Sequence, residues 1–316
     1  MKKIAILFIG LMLLSSVGCA GSALETYQEA VLKTEGLDQG KSSFSIGIQN
    51  VFRLEGLTQE EQLRYQSMEN IEMNYLTSFD KSQNLRASDF YFFLGDYGLD
   101  GKLYQQGRDY YLKLPILSHY LKMDENTLQS PNKHPFDEEH PFITRVTQEW
   151  IELLEVDNVV KGERAIMLTE DGEVKVTRFT VEPSEDQVRL FMKKVFSLAR
   201  AEKESLIQLM GLVDTEDFSI EEMIDSLETA FNSMDKVNFK VYAYIDIDGF
   251  IVRDETFIEF EQFNPEPGGM YKMTMTLTEE NWENNRWQDI QLPEFNSDNV
   301  MSIEDMDGIQ VPGLGQ

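Results

Sequence analysis

His134-Pro135-Phe136-Asp137-Glu138-Glu139-His140-Pro141-Phe142 places two imidazoles and three carboxylates within seven residues. Nitrogen and oxygen donors of that kind suit zinc or another divalent ion. Proline at both histidines opposes a helix, so no i, i+4 spacing brings the rings to one side. A solvated loop with two His-Pro-Phe turns accounts for the same residues, and no metal ligand is assigned. Asp246-Ile247-Asp248-Gly249 has the opening of a calcium loop, but Phe257 stands where the twelfth-position glutamate belongs, and a hairpin turn explains the motif. Gly-x-Ser-x-Gly, His-Glu-x-x-His and phosphate-cradling glycine loops are all missing from the sequence. Glu221-Glu222 could in principle serve glycoside hydrolysis. With 56 acidic residues, adjacent pairs are expected by chance. The expectation is a protein that is not an enzyme, with no catalytic residue and no cofactor.

The only cysteine, Cys19, closes a short N-terminal segment. Lys2-Lys3 is a basic start, Ile4 to Leu14 an apolar core, and Ser15-Ser16-Val17-Gly18 the small residues of a cleavage site. Eleven apolar residues span roughly 16 Å as a helix, against roughly 30 Å of bilayer hydrocarbon. Residues 1–18 therefore read as a secretion signal. Ser16-Val17-Gly18-Cys19 resembles a bacterial lipobox, with serine where leucine is usual. That resemblance implies cleavage after Gly18, a diacylglyceryl group on Cys19 and a lipidated N-terminus over 19–22. Two acyl chains anchor stably where one does not. The protein is thus expected on the extracytoplasmic face of the cell membrane, with palmitate-type acylation. The alternative is an ordinary secreted chain with a chance cysteine.

The 316 residues carry 28 Lys and Arg against 56 Asp and Glu, a net charge of −28. So negative a surface disfavours nucleic acid and anionic headgroups as partners. Hydrophobic content of 41% with 20 Phe and 12 Tyr excludes wholesale disorder. With Cys19 acylated there is no disulfide, so burial must hold the fold.

Periodicity then places the elements. Ala23 to Thr34 has helical spacing, and from Lys41 the period becomes two. Strands are predicted through Phe44, Ile46 and Ile48; from Met68 to Tyr75; over Ala87 to Leu94; and at Leu103-Tyr104 and Tyr110 to Leu114. Thr58-Gln59-Glu60-Glu61 reads as a turn or a single helical turn. The run Phe90 to Phe93 is apolar on both phases, as in a strand covered on both sides or one lining a hollow beneath helices. A polar loop is predicted around 124–141, then a helix from Thr144 to Leu154 and a hairpin of Val159–Leu168 with Glu173–Val181. Capping signatures at Ser184 and Ser219 open two helices, the first with an apolar stripe from Val188 to Ala199 and room to run on to Leu212. Three further long strands begin at Val237, Phe250 and Tyr271. An edge strand is expected at Asp289 to Pro293, and an acidic flexible tail over 294–316. The methionines, Met273 and Met275 among them, fit a core or an irregular apolar ligand.

Clean alternation means one apolar sheet face, which amphipathic helices must cover. The expected class is α+β: a single domain over 23–293 built on one large curved antiparallel sheet, an open half-barrel, with helices on its apolar side. The element order and the pieces Tyr27-Gln28-Glu29-Ala30, Lys102-Leu103-Tyr104-Gln105-Gln106-Gly107, Tyr110-Tyr111-Leu112-Lys113-Leu114-Pro115 and Tyr244-Ile245-Asp246-Ile247-Asp248-Gly249-Phe250 resemble the LolA-like and LppX-like lipoprotein superfamily. They are closest to an uncharacterised Gram-positive group of it. The resemblance implies a hydrophobic hollow that holds acyl chains or lipoprotein, and it carries over no ligand residue. The leading expectation is a membrane-anchored lipoprotein that binds a hydrophobic or lipid-like ligand. The alternative is a structural lipoprotein with a filled core that meets a surface protein.

Overall fold

A computed structural model of the chain describes residues 21–123, 141–170, 172–203, 206 and 219–302. Among these residues twelve strands form one sheet: β1 (Gln39–Phe52), β2 (Asn70–Asp80), β3 (Leu85–Leu94), β4 (Tyr97–Gln106), β5 (Asp109–Lys113), β6 (Tyr120–Met123), β7 (Val159–Thr169), β8 (Gly172–Val181), β9 (Lys236–Asp246), β10 (Ile251–Glu261), β11 (Met270–Trp282) and β12 (Val300–Ser302). Their order is β12-β6-β5-β4-β3-β2-β1-β11-β10-β9-β8-β7, antiparallel except for the parallel β12–β6 pair. The sheet does not close on itself, since β12 and β7 are its two margins. Hairpins build each half, and β1 pairing with β11 joins the early meander to the late one.

Among the described residues five helices accompany it: α1 (Ala23–Glu35), α2 (Gln59–Gln66), α3 (Pro141–Leu153), α4 (Glu185–Ala201) and α5 (Ile220–Asn232). The protein is α+β, as its alternation and capping signatures predict. Reciprocal capping boxes open α1, α2 and α4: the Ser22, Thr58 and Ser184 side chains accept from the third backbone N–H. Those donors would otherwise lack partners at a helix start. At Thr58 the box supports two helical turns, not the single turn expected. Helix α3 starts at Pro141, three residues before the predicted Thr144. The rest of the predicted loop, 124–140, lies outside the described residues.

The core sits under the helices at one end of the sheet. Tyr27 and Ala30 of α1 pack on Phe179, Val181, Val241, Ala243 and Ile245. Val188, Phe196 and Ala199 of α4 meet Ile220, Ile224 and Phe231 of α5 over Val237. Fully burying a side chain of this size contributes about 1.5–3 kcal/mol. Thr34 staples α1 to β10, its hydroxyl accepting from the Ile251 N–H at 2.8 Å and donating to the Ala30 carbonyl at 2.8 Å.

Two expectations at the C-terminal end change. Asp289 to Pro293 is not a strand, and the chain stays ordered past Pro293 as far as Ser302. The Phe295 ring stacks on Tyr111 at 3.7 Å between centroids and meets Tyr120 edge-on at 5.2 Å. Asn296 and Asn299 then form a side-chain-bonded turn, and the Asn299 carbonyl accepts from the Tyr120 N–H at 2.8 Å. An aromatic socket thus secures a segment whose local sequence looks like a polar tail. Residues 303–316 lie outside the described residues.

Candidate functional site

Register defines the apolar face row by row. One row runs Thr256, Leu277, Ile46, Met73, Phe92, Leu99 across β10, β11, β1, β2, β3 and β4. The next runs Ile258, Met275, Ile48, Ile71, Leu94. A third begins with Asp254 and Glu279 and continues through Phe44, Tyr75 and Phe90 to Gly101. Tyr75 and Phe90 stack at 5.9 Å, and the Phe90 ring lies where a Cβ on Gly101 would stand, 2.4 Å away. Glycine there lets the ring lie flat on the sheet.

Among the described residues, helices cover only the β7–β10 end of this face. Across β11, β1, β2 and β3 the same apolar rows stay half-buried, and Phe92 is 37% exposed. They form a trough that no described helix covers. The Phe90–Phe93 run therefore differs from both expectations. Phe90 and Phe92 line the trough beyond the helices, while Tyr91 and Phe93 are exposed on the opposite face.

Where the trough passes under the helices it becomes a cavity of about 360 Å³. Tyr27, Val31 and Glu35 of α1, Val146 and Trp150 of α3, and Phe191 of α4 roof it. Trp150 Nε1 donates to the Tyr27 hydroxyl at 3.2 Å, and its ring meets Phe191 at 5.5 Å and Phe239 at 5.0 Å. Burial pushes the Tyr27 phenol well above its usual range. This tyrosine is a neutral structural group at any physiological pH.

The polar end of the cavity is acidic. Asp254 and Glu279 are register partners on adjacent strands, and both face the hollow. Burial, reinforced by the Glu279 and Glu255 charges, raises Asp254 to about 7. Burial also raises Glu279, against a 3.0 Å bond donated by Asn281 Nδ2; the Glu35 charge adds to the rise. Taking carboxylates out of water disfavours the charged form, and a like charge nearby disfavours it further. Asp254 is thus poised between acid and carboxylate near neutrality at the polar end of the cavity.

The sequence-derived candidates fall elsewhere. His134 and His140 lie outside the described residues, as does Cys19; among the described residues no group of three His, Cys, Asp or Glu could hold a metal ion. Asp246 Oδ1 accepts from the Asp248 and Phe250 N–H groups at 2.9 Å each, and Gly249 has φ +85°, so this motif is a turn. Glu222 opens α5, its N–H bonded to Ser219 Oγ at 3.4 Å. The methionines divide: Met273 and Met275 lie in the trough, whereas Met234 is buried in the core. The acidic pair escaped the sequence reading, although Asp254 and Glu279 each break the apolar phase of an otherwise alternating strand.

No family model matches the chain, and no curated protein matches it. Among solved structures, a LolA superfamily protein from Nitrosomonas europaea is similar over 88% of this chain and 97% of its own, at 9% identity and a TM-score of 0.22. A beta-barrel-like protein of a domain of unknown function from Brucella abortus is similar over 78% of this chain and 100% of its own, at 9% identity and a TM-score of 0.24.

Proposed function

We propose that this protein is an extracytoplasmic lipoprotein, held at the membrane through Cys19, whose trough takes up a hydrophobic or lipid-like ligand and releases it chemically unchanged. One observation carries the reading: the apolar rows of the open trough lead up to the roofed cavity, meeting Thr256, Asp254 and Glu279 on its floor, and among the described residues helices cover one end only. About 360 Å³ lies within the range of small-molecule sites. A filled core, as the rival interaction-protein reading expects, would be close-packed at that place. Flexible thioethers at Met73, Met273 and Met275 suit a ligand of irregular shape.

Native mass spectrometry of gently purified protein tests the ligand. A retained amphiphile released by organic solvent is the expected result, and a ligand-free mass under all mild conditions would refute it. Fractionation tests the anchor. Cys19→Ala should shift the protein out of the membrane fraction, and unchanged attachment would remove the lipoprotein premise.

A further inference from the structure

A second hollow, a groove of about 550 Å³, opens between the start of α1 and the β7–β9 end of the sheet. Thr26, Lys161, Arg164, Ile166, Lys175 and Ile247 are among the residues that line it. Most basic side chains of this acidic sheet are held by a carboxylate, as in Lys102–Asp89, Lys240–Glu182, Arg253–Glu280 and Lys272–Glu259. Lys161, Arg164 and Lys175 are exposed and make no ion pair among the described residues. Lys161 only approaches the Phe179 ring, at 5.8 Å. Carboxylates also stand near, Glu163 between Lys161 and Arg164 among them. Asp246 lines the groove with Oδ1 committed to two backbone N–H groups, and Glu173 sits at the rim opposite Leu168.

The rim of this groove is apolar. Ile166 is 64% exposed, Leu168 79% and Ile247 83%. Register sets Ile166 against Lys175 and Arg164 against Thr177, so cations and aliphatic groups share one face. Small soluble anions make no use of such a rim. An interface in which phosphates lie above acyl chains uses both parts. The placement rests on the anchor proposed above at Cys19. Thr26 is in the first turn of α1, and Cys19 precedes the Ser22 cap by three residues, at most about 11 Å of extended chain.

We propose that this groove docks on anionic phospholipid headgroups, with Lys161, Arg164 and Lys175 meeting phosphate while Ile166, Leu168 and Ile247 enter the interface. Remote acids do not prevent this, because charges more than about 8 Å away are screened at physiological salt, whereas cations in contact with the surface act at full strength. The contact orients the domain on the bilayer. It does not depend on what the trough binds.

The test is flotation of the full chain with phosphatidylcholine vesicles, with and without about 30 mol % phosphatidylglycerol, at about 0.15 M salt. The apolar segment Ile4 to Leu14 contributes to both vesicle types, so the ratio of the two affinities is the readout. A preference of about tenfold or more for the anionic vesicles is expected, falling away near 1 M salt. The triple variant Lys161→Gln, Arg164→Gln, Lys175→Gln should lose it with its melting temperature unchanged. The control Lys102→Gln, Lys240→Gln, Lys272→Gln should keep it. Equal binding to both vesicles would overturn the proposal, as would a preference that survives the groove variant. Displacement by millimolar inorganic phosphate would assign the groove to a free anion, and stronger retention of polyglutamate than of vesicles would assign it to an acidic protein segment; either result also overturns the proposal.

Discussion

Replacing Asp254 by asparagine isolates the most unusual electrostatic feature of the fold. In the unfolded chain an aspartate titrates near its ordinary value of 3.8; in the folded protein Asp254 is raised to about 7. Between those values the folded state binds more protons than the unfolded state, so stability falls as pH rises and levels off above the folded value. One unit corresponds to about 1.36 kcal/mol, so the full span is about 4 kcal/mol, of which roughly 2–3 kcal/mol falls between pH 5 and pH 8. For a chain of this length that is a melting shift of about 5 °C. The amide of the variant cannot titrate. The gap in melting temperature between Asp254→Asn and the unchanged protein should therefore widen by that amount from pH 5 to pH 8, as read by near-ultraviolet circular dichroism. Groups that do not interact with Asp254 cancel in the difference, while Glu279, whose charge helps raise Asp254, titrates with it as a pair. Parallel melting curves across this range would refute the reasoning. A gap that narrows with pH would mean that the carboxylate, not the acid, is the favoured form.

Phe179 is 1% exposed at the floor of the core under α1, and Phe179→Ala should destabilise by about 3–5 kcal/mol in chemical denaturation. Phe295→Ala empties the socket formed by Tyr104, Tyr111 and Tyr120; limited proteolysis should then cut the chain between Pro293 and Ser302 while the core melts at nearly its original temperature. Ile46→Lys puts a charge midway along the trough but outside both buried clusters, so it should abolish amphiphile retention in native mass spectra with a stability loss of about 1 kcal/mol or less.

Much of this architecture can be read from residue order because alternation and capping are local signals. Phe44-x-Ile46-x-Ile48 can be half-buried only as a strand, and Ser184-x-x-Gln187 announces a helix by the bonds it is able to make. What escaped reading depends on contacts distant in sequence. Ile290 and Leu292 alternate like an edge strand, yet they acquire no partner, while Val300–Ser302 pairs with β6 because Phe295 docks more than 180 residues away from Tyr111. The extent of helical cover was also invisible: a stripe on α4 says that something is buried, not which strands lie beneath it. The acid pair was legible in part. Asp254 shares the phase of Val252, Ile258 and Phe260, and Glu279 that of Met275 and Leu277, so a carboxylate in the inward phase was the missed signal. Net charge misleads in a similar way, since −28 over the whole chain says nothing about three unpaired cations on one groove.

An unclosed sheet exposes two rows of backbone donors and acceptors, each able to recruit a stranger's strand and seed aggregates. Here neither row is left inviting. The segment that follows the aromatic socket lies along β6 as the three-residue β12, so that side ends in a very short, parallel-paired strand. On the other side β7 is kinked: its register slips between Lys161 and Arg164, at a place where Gly162 comes within 3.0 Å of the Arg178 carbonyl if given a Cβ. A kinked border studded with Lys161, Glu163 and Arg164 offers a poor template for flat edge-to-edge addition. A wide sheet of this kind can therefore stay open without offering either border as a flat template.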